Sequence, residues 1–175
     1  ACNDDELNAK IERLKNFGIK NKEEVVEVGT NGKMNEFKAA RGIEVLKEVE
    51  EERKKRKEIK EVYYNKLKDI EGISFIPGAK DVKSSYQYLI IRIDEEKFGF
   101  SRDEVHEKLK DYNVYARRYF YPLCSSYDCY NDLDSAKQEN LPIANKVVNE
   151  TLSMPFYGEL GVDKAKKICD IIISM

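Results

Sequence analysis

The side chains with the most capacity for chemistry in this 175-residue chain lie in two stretches that are far apart in the sequence. The first, residues 29–40 (GTNGKMNEFKAA), joins a polar glycine turn to a helical pattern that we expect to begin at Lys33 or Met34. Glycines allow close backbone approach, and the unpaired N–H groups at a helix start favour an anion such as a phosphate. A plain helix cap explains the same pattern, so the phosphate interpretation needs support from elsewhere in the chain.

The second stretch, residues 115–130 (YARRYFYPLCSSYDCY), is dense in aromatic residues and contains the adjacent pair Arg117 and Arg118. Phenol hydroxyls, guanidinium groups and ring faces suit a sugar or a phosphate. Aromatic residues at alternate positions of a strand also pack against a sheet, which is their commoner use. Both interpretations stay open from the residues alone.

Composition and cysteine spacing exclude several functional classes. The net charge of −2 gives no strong attraction to nucleic acid or to an anionic membrane. The cysteines (Cys2, Cys124, Cys129 and Cys169) form no C-x-x-C pair and the chain has one histidine, His106, so we expect no metal site. No apolar run approaches the ~18 residues of a membrane span. We therefore expect a soluble, reduced, cytoplasmic protein.

Helical periodicity dominates the first 71 residues. A short helix is expected after a cap at Asn3 or Asp4, and a second helical pattern covers residues 34–67. Residues 50–58 (EEERKKRKE) lack any apolar side chain, which is typical of a helix crossing solvent between two packed regions. The i,i+4 pairs expected to support this bridge are Glu50–Lys54, Glu51–Lys55 and Glu52–Arg56. A nucleic-acid patch at residues 53–57 is the alternative, but the flanking glutamates cancel most of its field.

After Gly72 the pattern changes to short strands alternating with helices. Residues 86–94 are the strongest predicted strand, and residues 114–119 are a second one. A capping box over residues 101–104 (SRDE) starts one helix, and Asn140 is expected to cap another. The fold class is therefore α+β, with a long bridging helix that leads into a small sheet carrying helices on one side.

Several motifs, in order, resemble the C-terminal part of the DegT/StrS-type sugar aminotransferases, which are pyridoxal-phosphate enzymes of fold type I. Residues 29–40 resemble the family pattern G-x-N-x-[RK]-M-[SN]-E-x-x-A-A, and residues 116–123 (ARRYFYPL) resemble its Arg-aromatic-Pro-Leu tract. Residues 3–19 and 141–160 resemble two further family segments. The wording of residues 116–123 is most similar to members that aminate dTDP-linked 3-keto-6-deoxyhexoses.

The resemblance implies a homodimeric transaminase that passes an amino group from glutamate, through pyridoxal phosphate, to a nucleotide-linked keto sugar. It implies that Asn31 reaches the cofactor phosphate of the partner subunit and that Lys33 approaches the phosphates of the substrate. It places Arg117, Tyr119 and Tyr121 in the wall that binds the sugar nucleotide. Cys124 stands where many members have histidine, and a thiol cannot replace an imidazole as a strong hydrogen-bonding group at neutral pH.

The resemblance also implies three parts for this chain. Residues 1–33 correspond to a remnant of the large cofactor-binding domain, residues 34–71 to the connecting helix and residues 72–175 to the small C-terminal domain. The lysine that binds the cofactor would lie roughly a dozen residues before Cys2. We therefore expect a fragment with no catalytic residue of its own, inactive by itself and without bound cofactor. The alternative is a stand-alone, non-enzymatic interaction module that uses the charged helix and residues 115–130, which we call the Tyr/Arg tract.

Overall fold

The computed structural model describes residues 2–21, 24–78, 81–127 and 130–175, which form two compact units, residues 1–49 and 50–175. The helices of the described residues are α1 (Asp5–Leu14), α2 (Glu36–Leu67), α3 (Glu95–Phe98), α4 (Arg102–Asp111), α5 (Pro142–Glu150) and α6 (Gly161–Ile173). Their strands are β1 (Ile73–Phe75), β2 (Ile90–Ile93), β3 (Arg117–Arg118) and β4 (Thr151–Ser153). Short 3-10 turns cover Cys124–Ser126, Asp134–Ala136, Gln138–Asn140 and Gly158–Leu160. No helix among the described residues is both long and apolar enough to cross a bilayer.

The first unit is α1 followed by a loop that folds back onto the end of that helix. Asp4 caps α1 as expected, because its Oδ1 accepts from the Leu7 N–H at 2.9 Å. The returning loop is held by main-chain hydrogen bonds, including Thr30 N–H to the Leu14 carbonyl at 2.8 Å and Gly32 N–H to the Lys15 carbonyl at 2.9 Å. This arrangement brings the glycine turn of the motif against the C-terminal end of α1.

The second unit is a four-stranded sheet in the order β1-β2-β4-β3, with every neighbouring pair antiparallel. Leu89, Ile91 and Ile93 are buried together, which confirms the apolar face expected from their alternation. They share one core with α2 and α6, whose buried residues include Ile59, Tyr63, Leu67, Ile168 and Ile172. The α+β fold class is confirmed.

The charged middle of α2 is not a free bridge, contrary to the expectation for residues 50–58. Arg53 donates to the Ser84 carbonyl at 2.9 Å and Arg56 to the Tyr86 carbonyl at 3.2 Å, while Glu52 accepts from the Gly158 N–H at 2.9 Å. We call Glu52, Arg53 and Arg56 the helix clamp. Hydrophobic periodicity could not reveal it, because the clamp binds main-chain groups through charged side chains.

The ion pairs of this segment agree only in part with the expected spacing. Glu51–Lys55 and Glu52–Arg56 form at 3.6 and 2.7 Å. Glu50 pairs instead with Arg53 at 2.8 Å and with Lys83 at 3.1 Å, so the expected Glu50–Lys54 pair was wrong. Arg53 lies on the same helix as Glu50, whereas Lys83 comes from the segment that follows β1. The hydrogen bond from Lys83 is the largest cause, and that from Arg53 the next, of a lowered pKa of the Glu50 carboxyl.

Several predicted boundaries differ from the structure. Helix α2 begins at Glu36, two or three residues after the predicted start, because Asn35 caps it by accepting from the Lys38 N–H at 2.9 Å. The strands predicted over residues 86–94 and 114–119 shrink to β2 and β3, the lengths over which the neighbouring strands pair. Asn140 does not cap α5; its side chain donates to the Asp134 carbonyl, and Leu141 holds the cap position. Cys129 lies outside the described residues.

We predict that stability falls as the pH rises above about 8.5, the usual pKa of a cysteine in an unfolded chain. Burial raises the pKa of Cys169 to about 12 and also raises the pKa of Tyr63, which packs in the same core. The unfolded chain therefore releases protons that the folded chain retains, so the free energy of unfolding decreases with pH in this window. In urea unfolding at pH 7 to 10, the free energy of unfolding should decline less steeply with pH for Cys169→Ala than for the wild type. The exposed-thiol variant Cys124→Ala should keep the wild-type slope, and equal slopes for both variants would contradict the prediction.

Candidate functional site

Asn31 is presented on the surface of the first unit. Its backbone pairs with Asn16 as an isolated antiparallel bridge, and the flanking Thr30 and Gly32 are bound to the end of α1. The side chain is exposed, and within the described residues its amide makes no hydrogen bond. An exposed amide on a rigid loop can donate to an oxygen of an incoming ligand without breaking an internal contact.

Lys33 is partly engaged within the same unit. Its ammonium donates to Asn16 Oδ1 at 3.0 Å and lies 5.5 Å from the centre of the Phe17 ring. A lysine carries three N–H donors, so donors remain beside the one taken by Asn16. Asn31 and Lys33 therefore present polar groups from one loop, whereas the other predicted site residues belong to the second unit.

The Tyr/Arg tract is held by β3 and by one buried threonine. In β3, Arg117 pairs with Ser153 and Arg118 with Leu152 of β4. Thr151 is buried, and its hydroxyl donates to the Tyr119 carbonyl at 2.6 Å. The short strand and this hydrogen bond bring Arg117, Tyr119 and Tyr121 into one continuous surface segment.

The two adjacent arginines have different environments, which the sequence could not distinguish. Arg118 forms ion pairs with Asp103 at 2.9 Å and with Glu107 at 4.0 Å. Arg117 is exposed and forms no ion pair with the described residues. Because side chains alternate along a strand, the two guanidinium groups leave the sheet on opposite faces. Of these two arginines, Arg117 is thus the one whose charge is available to a ligand.

An aromatic group beside this tract was missed by sequence reasoning. The rings of Tyr88 and Tyr119 lie 4.9 Å apart, and Tyr119 stacks on Phe120 at 4.1 Å. Tyr88 and Phe120 are about half and two-thirds exposed, so the group forms an open face. Tyr88 comes from a separate segment, and its place in the predicted strand gave no signal of this contact.

A cleft of about 280 Å³ opens next to the group and contains Arg117. Its other lining residues include Tyr88, Tyr115, Ser153 and Tyr157. A larger cavity of about 620 Å³ lies along β1 and is lined by Lys60, Tyr64, Lys68 and Phe75 among others. Among the predicted site residues, Arg117 lines the smaller cleft and none lines the larger cavity. The smaller cleft therefore fits the predicted site better.

Residues 1–173 match the model of the DegT/DnrJ/EryC1/StrS aminotransferase family. The chain belongs to this family. It is 43% identical over 164 residues to dTDP-4-amino-4,6-dideoxy-D-glucose transaminase of Escherichia coli, covering 94% of this chain and 44% of that protein. The enzyme of the same name from Shigella dysenteriae is 34% identical over 171 residues, covering 98% and 46%. The chain thus spans less than half the length of these curated relatives.

Solved structures agree with the family assignment. DesI, determined in the presence of its TDP-sugar product, superposes with a TM-score of 0.87 at 30% identity, over 98% of this chain and 43% of that chain. PseC of Helicobacter pylori, an aminotransferase of pseudaminic acid biosynthesis, gives 0.84 at 25% identity, over 98% and 46%. The resemblance drawn from the sequence motifs is therefore confirmed, and so is its restriction to part of the relatives' length.

Aminotransferases of this family use pyridoxal phosphate, whose phosphate group requires hydrogen-bond donors. The exposed amide of Asn31 has no partner among the described residues and suits a phosphate oxygen. The chemistry of this one donor is therefore compatible with the phosphate end of the cofactor. Within the described residues, no group of three or more His, Cys, Asp or Glu side chains could hold a metal ion.

Cys124 and His106 are two further residues whose side chains are capable of acid–base chemistry. Cys124 is exposed and begins the 3-10 turn Cys124–Ser126, within residues 115–130. His106 lies on α4, and its Nδ1 is 3.0 Å from Glu107 Oε1. The described tract therefore contains hydroxyl and guanidinium donors but no imidazole.

Proposed function

We propose that this chain forms the C-terminal part of a pyridoxal-phosphate-dependent transaminase that transfers an amino group from glutamate to a nucleotide-linked keto sugar. The observation that carries the proposal is the 43% identity to the E. coli transaminase over 94% of this chain. The exposed donors at Asn31 and Arg117 support it, because they suit the phosphate groups of such a cofactor and substrate.

We propose a dTDP-linked 4-keto-6-deoxyhexose as the substrate. The names of the E. coli and Shigella relatives both specify a 4-amino-4,6-dideoxy product. This favours amination at carbon 4 over the carbon 3 suggested by the wording of residues 116–123. The interaction-module alternative has less support, because Arg53 and Arg56 of the charged helix are bound within the second unit.

The bound cofactor would supply the electron sink, while this chain's residues bind and orient. We assign the Asn31 amide to donate a hydrogen bond to the cofactor phosphate of a partner subunit. We assign the remaining N–H donors of Lys33 to the substrate phosphates. Both assignments use side chains that are exposed on the loop after α1.

The tract in the second unit would bind the sugar nucleotide. The Arg117 guanidinium offers a planar pair of donors that matches a diphosphate. Tyr119 contributes its ring to the open aromatic face, and Tyr121 contributes a half-exposed phenol whose hydroxyl makes no hydrogen bond to described residues. We assign both residues to binding and orienting the substrate.

We propose a homodimer, because Asn31 would act on the partner's cofactor. The exposed apolar side chains before and within the first half of α2 support a covered surface here. Met34, Phe37 and Leu46 are 71%, 89% and 71% exposed. Apolar groups this accessible are typical of a surface that contacts another domain or subunit.

A chimeric enzyme tests the proposal. The matching region of the E. coli transaminase is replaced by this chain, and amino transfer from glutamate to the dTDP-linked 4-keto sugar is measured. We expect turnover by the chimera and none by the isolated 175-residue chain. A chimera that forms dimers and binds pyridoxal phosphate but does not turn over would refute the proposal, as would turnover by the isolated chain.

Arg117→Gln in the chimeric enzyme should raise the KM for the sugar nucleotide about 10-fold with little change in kcat. A lost hydrogen bond to a charged group is worth about 1.5–3 kcal/mol, and 1.4 kcal/mol is tenfold in affinity. Lys97→Gln is the matched control, because it removes the same charge from an exposed site whose ion pair with Asp94 is long, at 3.9 Å. Equal KM values for the two variants would show that Arg117 does not bind the substrate.

A further inference from the structure

Arg102 is a buried arginine that sequence analysis did not select. It is 1% exposed at the start of α4, directly after the Ser101 cap. Its Nη1 donates to the carbonyls of Val148 and Thr151 at 2.8 and 3.1 Å, and its Nε to Asp103 at 2.7 Å. Burial of a guanidinium is costly unless its donors are satisfied, so a residue in this setting requires a specific explanation.

The ring of Tyr121 lies against two guanidinium groups. The Cζ atoms of Arg102 and Arg118 are 5.3 and 5.5 Å from its centre. Asp103 Oδ1 accepts a hydrogen bond from Arg102 Nε at 2.7 Å and lies 2.9 Å from Arg118 Nε, an ion pair without hydrogen-bond geometry, so it links the two arginines electrostatically. Arg102 Nη2 is buried without a hydrogen-bond acceptor among the described residues, and the electron-rich ring face offsets part of that cost.

We propose that Arg102, Asp103 and Arg118 are positioning residues that orient Tyr121 for the sugar nucleotide; this rests on the proposed function. We call the three residues the Tyr121 support. They hold the ring by its face and leave its hydroxyl free. The support does not itself touch the substrate.

The support also reaches the rest of the tract through main-chain groups. Arg102 binds the carbonyl of Thr151, and the hydroxyl of Thr151 donates to the Tyr119 carbonyl. One buried guanidinium thus connects α4 and β4 to Tyr119 and Tyr121, two of the residues assigned to the substrate. Arg118, whose side chain is about one-third exposed, is the member that can be changed with the smaller risk to folding.

The experiment uses the 175-residue chain with 3-fluorotyrosine at position 121, and at the exposed Tyr127 in a second sample. Arg118→Met and Arg102→Met are each compared with Lys108→Met. The control removes another cation from α4, the Lys108 ammonium 3.8 Å from the centre of the Phe100 ring. The ¹⁹F signal, the melting temperature and the affinity for thymidine diphosphate are measured for each variant.

We expect Arg118→Met to move and broaden the ¹⁹F signal at position 121, leave that at position 127 unchanged, and weaken thymidine diphosphate binding at least fivefold. Arg118→Lys should restore part of both effects, and Lys108→Met should show neither. Three results would overturn the proposal: an unchanged signal at position 121, joint movement of both signals with a lower melting temperature, or weaker binding with an unchanged signal. Absence of thymidine diphosphate binding by the wild type would count against the proposed function, while the fluorine signals would still decide whether the support exists.

Discussion

Asn31→Asp should lower the affinity of the chimeric enzyme for pyridoxal phosphate about 100-fold. The substitution removes an N–H donor and places a carboxylate beside the dianionic phosphate. The loss of a hydrogen bond to a charged group together with like-charge repulsion costs about 3 kcal/mol, which corresponds to two decades in affinity. The exposed position of Asn31, with no partner among the described residues, means that folding should be little affected. Cofactor affinity is measured by titrating the apo-enzyme and following the visible absorbance.

Asn35→Asp is the matched control for this variant. It introduces the same charge four residues away, where the side chain caps α2 by accepting from the Lys38 N–H. Aspartate and asparagine are equally good caps, so the helix start is preserved. The control should retain wild-type affinity. If the two variants lose affinity equally, a general field effect explains the loss and the assignment of Asn31 is wrong.

Gly29→Ala should destabilise the loop after α1 by about 3 kcal/mol, the upper end of the usual cost of overpacking. A Cβ at position 29 would lie 2.3 Å from the Gly18 nitrogen and 2.5 Å from the Leu14 carbonyl oxygen. Both are main-chain atoms that cannot rotate away. The hydrogen bond from Thr30 N–H to Leu14 would open, and hydrogen exchange of that amide should accelerate correspondingly.

Gly32→Ala provides the comparison within the same motif. Its Cβ would meet the Lys15 Cβ at 3.2 Å, a much milder contact that a small local shift of the chain relieves. We expect near-native hydrogen exchange of the Thr30 amide for Gly32→Ala. In the chimeric enzyme, Gly29→Ala should clearly lower the affinity for pyridoxal phosphate, and Gly32→Ala should not. Equal effects at both positions would show that the close packing of Gly29 does not determine how Asn31 is presented.

The sequence predicted the parts of the fold that depend on apolar periodicity and on local caps. The buried face of β2 and the Ser101 capping box were both expected and are present. These features follow from short-range patterns, since a period of two or 3.6 residues and a cap three residues away are encoded locally. The family motifs were recognisable for a similar reason, because their residues are contiguous in the chain.

Features that depend on distant partners could not be predicted. Arg102 stands in the first turn of α4, where acidic residues are favoured, and its burial depends on partners that include carbonyls 46 and 49 residues away. The different environments of Arg117 and Arg118 depend on Asp103 of another helix. Tyr88 joins the aromatic group through a contact between separate segments. The one local signal was Arg102 itself, because a cation in the first turn of a helix is unfavourable without a specific partner.

The helix clamp has a consequence for how this part of the fold can diversify. Arg53 and Arg56 bind the carbonyls of Ser84 and Tyr86, which every amino acid possesses. The loop that carries those carbonyls can therefore change its side chains, as far as the clamp is concerned, if its path is kept. Gly158 differs, because a Cβ there would lie 2.1 Å from Glu52 Oε2 and would push that flexible carboxylate away from the Gly158 N–H. Within one clamp, two contacts tolerate sequence change in the partner loop, whereas the third is lost when residue 158 gains a side chain that displaces Glu52.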